Sequence, residues 1–204
     1  MIIVVDYGMA NVGSVVNMLR KAGAAALATA DRDLIGKAAK LILPGVGAFD
    51  SAVRRLRELD LAGVLTEAAV VRGVPTLGIC LGMQLLLEGS EEGRLPGLGW
   101  IRGRARRFTT EGMGEDLRVP HMGWNELTLH KASRLFDGVQ ERQRFYFVHS
   151  YHAVCEEPAD ILATTTYGSE FVSAMERGNI TGVQFHPEKS HRFGLRLLKA
   201  FAES

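Results

Sequence analysis

The sequence predicts an α/β fold in which a central, mainly parallel sheet carries helices on both faces and the second half of the chain adds antiparallel strands. Across residues 1–90, short apolar runs alternate with segments of helical periodicity, which is typical of a parallel sheet. Beyond residue 100 the pattern changes to strands of alternating polarity joined by turns. The 204 residues are most simply one domain, residues 1–204, with one substantial core.

The composition is that of an ordinary globular protein, with 47% apolar and 23% charged residues. A net charge of +1 provides no excess of Lys and Arg for binding nucleic acid or an anionic membrane. The two cysteines, Cys80 and Cys155, are too few for a disulfide framework and fit a reducing compartment. The apolar run from Ile2 to Val5 ends at Asp6, which is too short for a signal peptide or a membrane span. We therefore expect a cytoplasmic protein without nucleic-acid or membrane partners.

The first half of the chain is predicted to form alternating strands and helices. Ile2 to Val5 is a buried strand, and Asn11 can cap a helix that ends at Gly23. The further elements predicted here are a strand at 24–30, a helix at 31–39, a strand at 41–43 and a helical stretch at 53–71 that breaks near Asp60. Because parallel sheets bind ligands at the carboxyl ends of their strands, the loop at 44–47 is expected at a binding edge.

The second half is predicted to add strands in which exposed and buried residues alternate. Its predicted elements are strands at 100–108, 117–129, 145–154, 161–166, 171–175 and 180–185, a turn at 177–179 and a closing helix at 191–203. Arg102, Arg104 and Arg106 fall on one face of the first of these strands and form, with Arg107, the most basic local patch. That patch is either a solvated strand face or a docking surface for an acidic partner or a phosphate.

The stretch at 74–88 carries the candidate nucleophile. An apolar run of strand length ends in Gly-Ile-Cys-Leu-Gly at 78–82, and a helix is predicted at 83–88. In a strand-to-helix corner of this pattern, the two glycines remove clashing side chains and leave the middle residue above the sheet edge. Cys80 would then lie at a helix N-terminus, which favours its thiolate, and the N–H of Leu81 would hold a developing oxyanion. The alternative is that Cys80 is a small buried hydrophobic residue.

A thiolate nucleophile needs a proton carrier, and the sequence offers His186 for that role. This histidine lies just beyond the strand predicted at 180–185, and therefore at a sheet edge. Pro187 stiffens the backbone, and Glu188 can turn back to orient the imidazole and stabilise its protonated form. Taken alone, a histidine with a nearby glutamate is more often a surface polar pair, but together with the corner at Cys80 the catalytic role is favoured. Cys80, His186 and Glu188 can form a triad only if their strands are neighbours.

An oxyanion hole is the second requirement of such chemistry. Gly45 and Gly47 make the loop after the third strand permissive, so that a backbone N–H there can rotate towards the thiol. The loop is alternatively a simple turn. The sequence has neither the GxxxxGK[ST] spacing of a phosphate loop nor a His/Cys/Asp/Glu cluster with metal spacing. We therefore expect acyl transfer without a metal, nucleotide or other cofactor.

Three segments resemble the triad, or class I, glutamine amidotransferases. They are similar to that family's nucleophile elbow, oxyanion strand and His–Glu pair, and lie at 78–84, 44–47 and 186–188. Four narrower segments are similar to the glutaminase subunits of imidazole glycerol phosphate synthase, of histidine biosynthesis, and lie at 6–11, 120–125, 147–151 and 182–190. The resemblance implies a flavodoxin-like class I amidotransferase fold. The segment from Glu111 to Asp116 matches no motif of the family.

The resemblance implies a role for each matching residue. Cys80 would attack the side-chain amide of glutamine, His186 would move the protons, and Glu188 would orient the imidazole ring. Backbone N–H groups of the oxyanion hole are implied at Val46, Gly47 and Leu81, where the 46–47 peptide would flip to complete the hole. Residues implied in binding glutamine are Gln84, Glu92, His149, Ser150 and Tyr151. Residues implied near the partner interface are Asn11, Trp124, Tyr146 and Lys189.

The implied partner is a (β/α)8-barrel cyclase subunit that receives ammonia and forms imidazole glycerol phosphate and aminoimidazole carboxamide ribonucleotide. Two alternatives remain open from the sequence. The chain could be the glutaminase subunit of another synthase, such as pyridoxal phosphate synthase, although that reading leaves the segment at 120–125 unexplained. It could also be a non-catalytic, flavodoxin-like thiol sensor in which Cys80 is only oxidisable.

Overall fold

The computed structural model describes residues 1–109, 117–137 and 142–204, so the predicted segment from Glu111 to Asp116 lies outside the described residues. The helices are α1 (Val12–Lys21), α2 (Arg32–Gly36), α3 (Phe49–Glu58), α4 (Leu61–Thr66), α5 (Leu81–Leu85) and α6 (His191–Glu203). The strands are β1 (Ile2–Val5), β2 (Ala26–Thr29), β3 (Lys40–Gly45), β4 (Thr76–Cys80), β5 (Gly89–Ser90), β6 (Gly103–Arg107), β7 (His121–Glu126), β8 (Thr128–Leu129), β9 (Arg144–His149), β10 (Tyr151–Cys155), β11 (Ile161–Tyr167), β12 (Ser169–Arg177) and β13 (Ile180–Val183).

The central sheet has the strand order β2-β1-β3-β4-β13-β12-β10-β6-β5. Its first five strands are parallel, whereas β12 is antiparallel to both β13 and β10, and β10 is antiparallel to β6. β11 pairs with β12 and with β8, and a separate two-stranded sheet joins β7 to β9. The predicted α/β fold, with a mainly parallel sheet and antiparallel strands in the second half, is confirmed.

Helices cover both faces of the parallel strands because successive side chains of a buried strand point to opposite faces. Within β1, Ile3 and Val5 pack into one hydrophobic cluster, and Ile2 and Val4 pack into the other. The first cluster contains the buried apolar residues of α3 and α4, and the second contains those of α1 and α6. The near-continuous apolar runs predicted to be buried strands are therefore buried on two sides.

Several predicted boundaries differ from the structure. The helix predicted at 83–88 is α5, which begins directly after Cys80, and the helix predicted from residue 53 begins at Phe49 and continues from α4 into a π-helical turn, Glu67–Val71. The strand predicted at 117–129 is divided into β7 and β8. The strand predicted at 145–154 is interrupted at Ser150, where the chain passes from the two-stranded sheet to the central sheet. Helix α6 has the predicted bounds, and Asn11 caps α1 through the N–H of Ser14, at 3.3 Å.

The arginine-bearing strand alternates as predicted. In β6, Gly103 and Ala105 are buried while Arg104 and Arg106 are exposed, although the strand is shorter than the predicted 100–108. Across the described ranges, no helix is both long and apolar enough to cross a membrane.

Candidate active site

The corner between β4 and α5 presents Cys80 in an unusual backbone conformation, with φ +55° and ψ −110°. The glycines on either side allow this corner to pack closely. A Cβ on Gly78 would lie 2.8 Å from the carbonyl oxygen of Gly82, and a Cβ on Gly82 would collide with the carbonyl oxygen of Leu43. No other residue type fits at these two positions without backbone movement, so the predicted reason for both glycines is confirmed.

His186 and Glu188 form a buried pair at the end of β13. The Nδ1 atom of His186 donates to Oε1 of Glu188 across 2.7 Å, and both side chains are less than a tenth exposed. Two hydrogen bonds hold the backbone of His186. Its N–H donates to the carbonyl oxygen of Tyr146 at 2.9 Å, and its carbonyl oxygen accepts from the hydroxyl of Ser190 at 2.6 Å. The imidazole is therefore held in one orientation, with Nε2 left for another partner.

The second ring nitrogen of His186 interacts with Cys80. Burial lowers the pKa of His186, but the Cys80 sulfur and the Glu188 carboxylate outweigh it and raise that pKa to about 10. The Nε2 atom is buried and has no hydrogen bond of standard geometry to any described residue. This arrangement favours a protonated imidazole beside a thiolate.

Cys80 and His186 open onto a cavity of about 530 Å³. The residues that line it are Val46, Gly47, Cys80, Leu81, Gln84, Glu92, Pro120, Val148, His149, Ser150, Tyr151, His186 and Lys189. The structure thus brings together on one surface every residue predicted for the oxyanion hole and for glutamine binding. Glu188 lies behind His186, away from this surface. Pro120 and Val148 were not predicted from the sequence; both belong to segments noted only as motifs.

In the loop after β3, the backbone N–H of Val46 does not face the thiol of Cys80 but forms a hydrogen bond in another direction. Val46 is 46% exposed, and its N–H donates to the carbonyl oxygen of Met9 across 2.7 Å. Gly47 follows with φ +101°, which a residue with a Cβ rarely adopts. Because the Val46 N–H is directed at Met9, the 45–46 peptide, which carries this group, must rotate before the N–H can face the thiol.

Gln84 connects the nucleophile corner to β10 and to the residue after β13. Its Nε2 atom donates to the carbonyl oxygen of Tyr151 at 3.1 Å and to Oε1 of Gln184 at 3.2 Å. Nε2 of Gln184 in turn lies 3.7 Å from the sulfur of Cys80. The sequence reasoning assigned no role to Gln184. The available signal was a carboxamide that directly follows a buried, mostly apolar strand.

Glu92 is both a cavity residue and a helix cap. Its Oε2 atom accepts a hydrogen bond from the N–H of Phe49, the first residue of α3, at 2.9 Å. This carboxylate satisfies one of the N–H groups that a helix start leaves unpaired, and it lines the cavity at the same time.

The residues predicted near a partner interface divide into two groups. Trp124 stacks on His191 with a ring separation of 5.4 Å, and Nζ of Lys189 lies 5.9 Å from the ring centre of Tyr146. Trp124 is 39% exposed, and the edge of Tyr146 meets it at 6.2 Å. These three predicted residues therefore form one aromatic and basic surface beside the cavity, whereas Asn11 caps α1 and does not line the cavity.

The family model of class-I glutamine amidotransferases matches residues 3–203. The chain belongs to the class-I glutamine amidotransferases. Among these amidotransferases, similar relatives include a protein of Methanococcus maripaludis that is 51% identical over 98% of both chains. Another, from Pseudomonas aeruginosa, is 49% identical over 100% of this chain and 99% of its own. Both are named imidazole glycerol phosphate synthase subunit HisH 2, which confirms the resemblance to that family stated from the motifs.

Solved structures support the amidotransferase fold. A chain in the PurLQS structure from Thermotoga maritima has a TM-score of 0.72 and 18% identity, over 99% of this chain and 97% of that one. The glutaminase domain of the Trypanosoma brucei CTPS, with bound acivicin, has a TM-score of 0.67 and 16% identity, over 100% and 94%. At these identities the likeness concerns the fold alone.

Proposed function

We propose that this chain is the glutaminase subunit of imidazole glycerol phosphate synthase. It hydrolyses glutamine to glutamate and ammonia, and residues 1–204 act as one amidotransferase domain. The observation that carries this proposal is the cavity in which Cys80 meets His186, with the 2.7 Å contact from His186 to Glu188 behind it. The choice of this particular synthase is supported by the relatives named HisH, which are 51% and 49% identical to this chain.

The reaction begins with attack of the Cys80 thiolate on the side-chain carbonyl carbon of glutamine. The carbon–nitrogen bond breaks as the His186 imidazolium gives its proton to the departing ammonia, leaving a γ-glutamyl thioester. Neutral His186 then takes a proton from water, which attacks the thioester and releases glutamate and the thiolate. Glu188 holds the ring through Nδ1 and stabilises its charge throughout.

Oxyanion stabilisation comes from backbone donors at Leu81 and in the Val46–Gly47 loop. One such donor is worth about 3 to 4 kcal/mol of transition-state stabilisation in comparable sites. The N–H of Val46 is bonded to Met9 in this structure, so the resting site has an incomplete hole. Rotation of the 46–47 peptide, which carries the N–H of Gly47, is the step that would switch the glutaminase on, and the conformational freedom of Gly47 permits it.

Glutamine binds in the 530 Å³ cavity with its amide towards Cys80. Glu92 and Gln84 hold its α-amino end, and the backbone at 149–151 holds its carboxylate. Support for this orientation comes from the charge distribution, because Glu92 is the acidic residue among the lining side chains. The cavity volume is ample for one amino acid.

The partner is the (β/α)8-barrel cyclase subunit, which receives the ammonia before it escapes into the cytoplasm. It docks on the surface of Asn11, Trp124, Tyr146 and Lys189 beside the cavity mouth. Two large apolar side chains there, Met122 and Trp124, are 61% and 39% exposed, as expected of a protein interface. The protein works without a cofactor of its own.

A glutamine-analogue electrophile tests the catalytic assignment. We expect it to label Cys80, and we expect Cys80→Ala to lose both labelling and glutaminase activity. Cys155→Ala is the matched control, because burial raises the pKa of the Cys155 thiol to about 11 and leaves it protonated at neutral pH. Equal labelling of both cysteines would instead support the thiol-sensor alternative.

Turnover with and without the cyclase subunit and its nucleotide ligand tests the choice of synthase. We expect strong stimulation of glutamine hydrolysis, and we expect Trp124→Ala to weaken that stimulation without preventing labelling of Cys80. Val71→Ala is the control. Val71 is 68% exposed and lies before the start of β4, whereas Cys80 lies at the other end of that strand. Stimulation by a pyridoxal phosphate synthase instead would identify the other assignment as correct.

A further inference from the structure

We propose that Gln184 is a positioning residue of the nucleophile, whose carboxamide donates a hydrogen bond to the sulfur of Cys80 and so favours its ionised form. This inference rests on the proposed glutaminase function and adds to it a residue outside the triad and the oxyanion hole. It starts from a fully buried amide side chain that no step of the reaction above uses.

The sheet register places Gln184 beside Cys80. β13 runs parallel to β4, and Val183 is paired with Ile79, so the next residues of the two strands are neighbours. The N–H of Gln184 bonds to the carbonyl oxygen of Ser173 on β12 at 2.9 Å, which holds its backbone. Its Nε2 atom then lies 3.7 Å from the Cys80 sulfur, within hydrogen-bonding distance for sulfur.

The orientation of the Gln184 amide follows from its other contact. Oε1 of Gln184 accepts a hydrogen bond from Nε2 of Gln84 at 3.2 Å. If the amide were reversed, two NH₂ groups would face each other and an oxygen would face the sulfur. The nitrogen is therefore the atom that faces Cys80.

A row of buried and partly buried hydrogen bonds connects the amide of Gln184 to β7. Gln84 also donates to the carbonyl oxygen of Tyr151, which accepts from Nδ1 of His149 at 2.8 Å. Nε2 of His149 then accepts from Nδ1 of His121, at 3.1 Å. Nε2 of His121 lies 3.5 Å from Nδ2 of Asn125, the residue after Trp124. Each nitrogen has one consistent role along this row, which requires neutral imidazoles.

Neutral imidazoles are what the environment of the row provides. Burial lowers the pKa of His121 to about 4 and that of His149 to about 3. At neutral pH both rings therefore keep one donor and one acceptor nitrogen each. The amide of Gln184 is thus fixed from behind by groups that do not change charge.

A carboxamide nitrogen can only donate, which decides the consequence for Cys80. A thiol beside it must act as an acceptor, and a thiolate accepts far more strongly. The contact therefore stabilises the ionised sulfur, in addition to the effect of His186. A hydrogen bond to a charged group of this kind is expected to move the thiol titration by about one pH unit.

The test is the pH dependence of Cys80 alkylation by iodoacetamide in a Cys155→Ala background. Gln184→Met keeps the length of the side chain and removes the donor. We expect its alkylation midpoint to rise by about one pH unit, and its kcat to fall about tenfold with a smaller change in KM. Gln184→Glu keeps the acceptor for Gln84 and places an oxygen against the sulfur, so its midpoint is expected to rise further.

Ser173→Ala is the matched control. Ser173 bonds to Gln184 through its backbone, is fully buried, and its hydroxyl has no hydrogen-bond partner among the described residues. Its alkylation profile and kcat are expected to equal those of the wild type. A merely structural role for Gln184 would lower the melting temperature of the Gln184 variants without moving the alkylation midpoint.

A measurement on the wild-type chain covers the case in which the variants do not fold. The side-chain amide NMR signals of Gln184 are expected to shift as Cys80 titrates, and to stay constant over the same pH range in Cys80→Ala. Unchanged signals in the wild type, or superimposable alkylation profiles in folded variants, would overturn this inference while leaving the glutaminase assignment intact. A wild type that neither hydrolyses glutamine nor labels at Cys80 would overturn the glutaminase assignment itself.

Discussion

His186 lies in an environment that would remove the proton from an isolated imidazole, yet its pKa is raised to about 10. Burial alone lowers the pKa of a histidine, and here two acidic groups reverse that effect. The sulfur of Cys80 and the carboxylate of Glu188 therefore keep the proton on the imidazole over a wide pH range. The imidazole therefore already carries the proton that the departing ammonia needs, before glutamine binds.

Replacing Glu188 by Gln tests this arrangement. The wild-type imidazolium persists up to about pH 10, so kcat/KM is expected to fall only above that pH. Without the carboxylate the imidazolium loses its proton at lower pH, so the alkaline limb should move down by about one unit or more. Activity at neutral pH should fall on the order of 100-fold.

The pH–rate profile of glutamine hydrolysis is the measurement for Glu188→Gln. Glu203→Gln makes the same chemical change on the exposed end of α6 and is expected to leave the profile unchanged. An alkaline limb that stays in place in Glu188→Gln would show that the carboxylate does not support the imidazolium.

The residues of the site were not equally predictable. Cys80 and His186 were predictable because each lies in a short local motif. Glycines flank Cys80 at positions 78 and 82, and a proline follows His186. Gln184 gives no such signal, since its role depends on the pairing of β13 with β4, which no local pattern encodes. The hydrogen bond from Val46 to Met9 was likewise beyond prediction, because it joins loops that are distant in sequence.

At the scale of elements, the corner of β4 and α5 depends on how closely α5 approaches β3. The carbonyl oxygen of Leu43 occupies the space that a side chain on Gly82 would need. Helix α5 can therefore begin at Leu81, beside the cavity, only while residue 82 has no Cβ.

Gly82→Ala is expected to destabilise the protein by about 3 kcal/mol, because the added methyl group collides with the carbonyl of Leu43 and pushes α5 away from β3. Gly63→Ala in α4 is the matched control, since a Cβ there meets no atom within 4 Å. It should instead stabilise the protein by about 0.5 to 1 kcal/mol, as alanine does in a helix interior. Urea unfolding of the two variants measures both effects, and equal changes would contradict the packing argument.

Elements with their own local signals were predicted well. Helix α6 has regular apolar spacing, and α1 has Asn11 as its cap, so their positions followed from the sequence. The interruption at Ser150 was missed because the strand pattern continues through it while the pairing partner changes from β7 to β6. Such a change of sheet is a tertiary effect that leaves no mark on the alternation of residues.

In the whole molecule, the central sheet joins the first and last parts of the chain. β13, formed near the C-terminus, lies between β4 and β12, and this insertion brings His186 to Cys80. The sequence predicted that the triad requires neighbouring strands but did not establish the pairing. The fold class was predictable because it needs only element types, whereas the strand order depends on long-range contacts.

The buried histidines should make the stability of the whole molecule depend on pH. Their pKa values are lowered from 6.5 to about 4 for His121 and about 3 for His149, so the unfolded chain binds protons that the folded chain does not. The stability that His121 and His149 contribute is therefore present above pH 6.5 and is lost as pH falls below it. His149 alone should account for about 2 kcal/mol between pH 6.5 and about pH 4.5.

Urea unfolding across that range measures this dependence. His121→Gln removes one of the two groups and should flatten the slope, because fewer protons are then taken up on unfolding. An identical slope in wild type and variant would mean that the imidazole of His121 does not stay neutral in the folded chain.

Cys80 has a backbone conformation that glycine adopts more readily than any residue with a Cβ, at φ +55° and ψ −110°. Alanine usually exceeds glycine in stability, but at this position we expect Cys80→Gly to melt at a higher temperature than Cys80→Ala, by the equivalent of about 1 to 2 kcal/mol. Thermal melts of the two inactive chains would reveal the order. Stability alone would therefore favour glycine at position 80. If the protein were no longer selected for glutaminase activity, we expect cysteine to be replaced by glycine here.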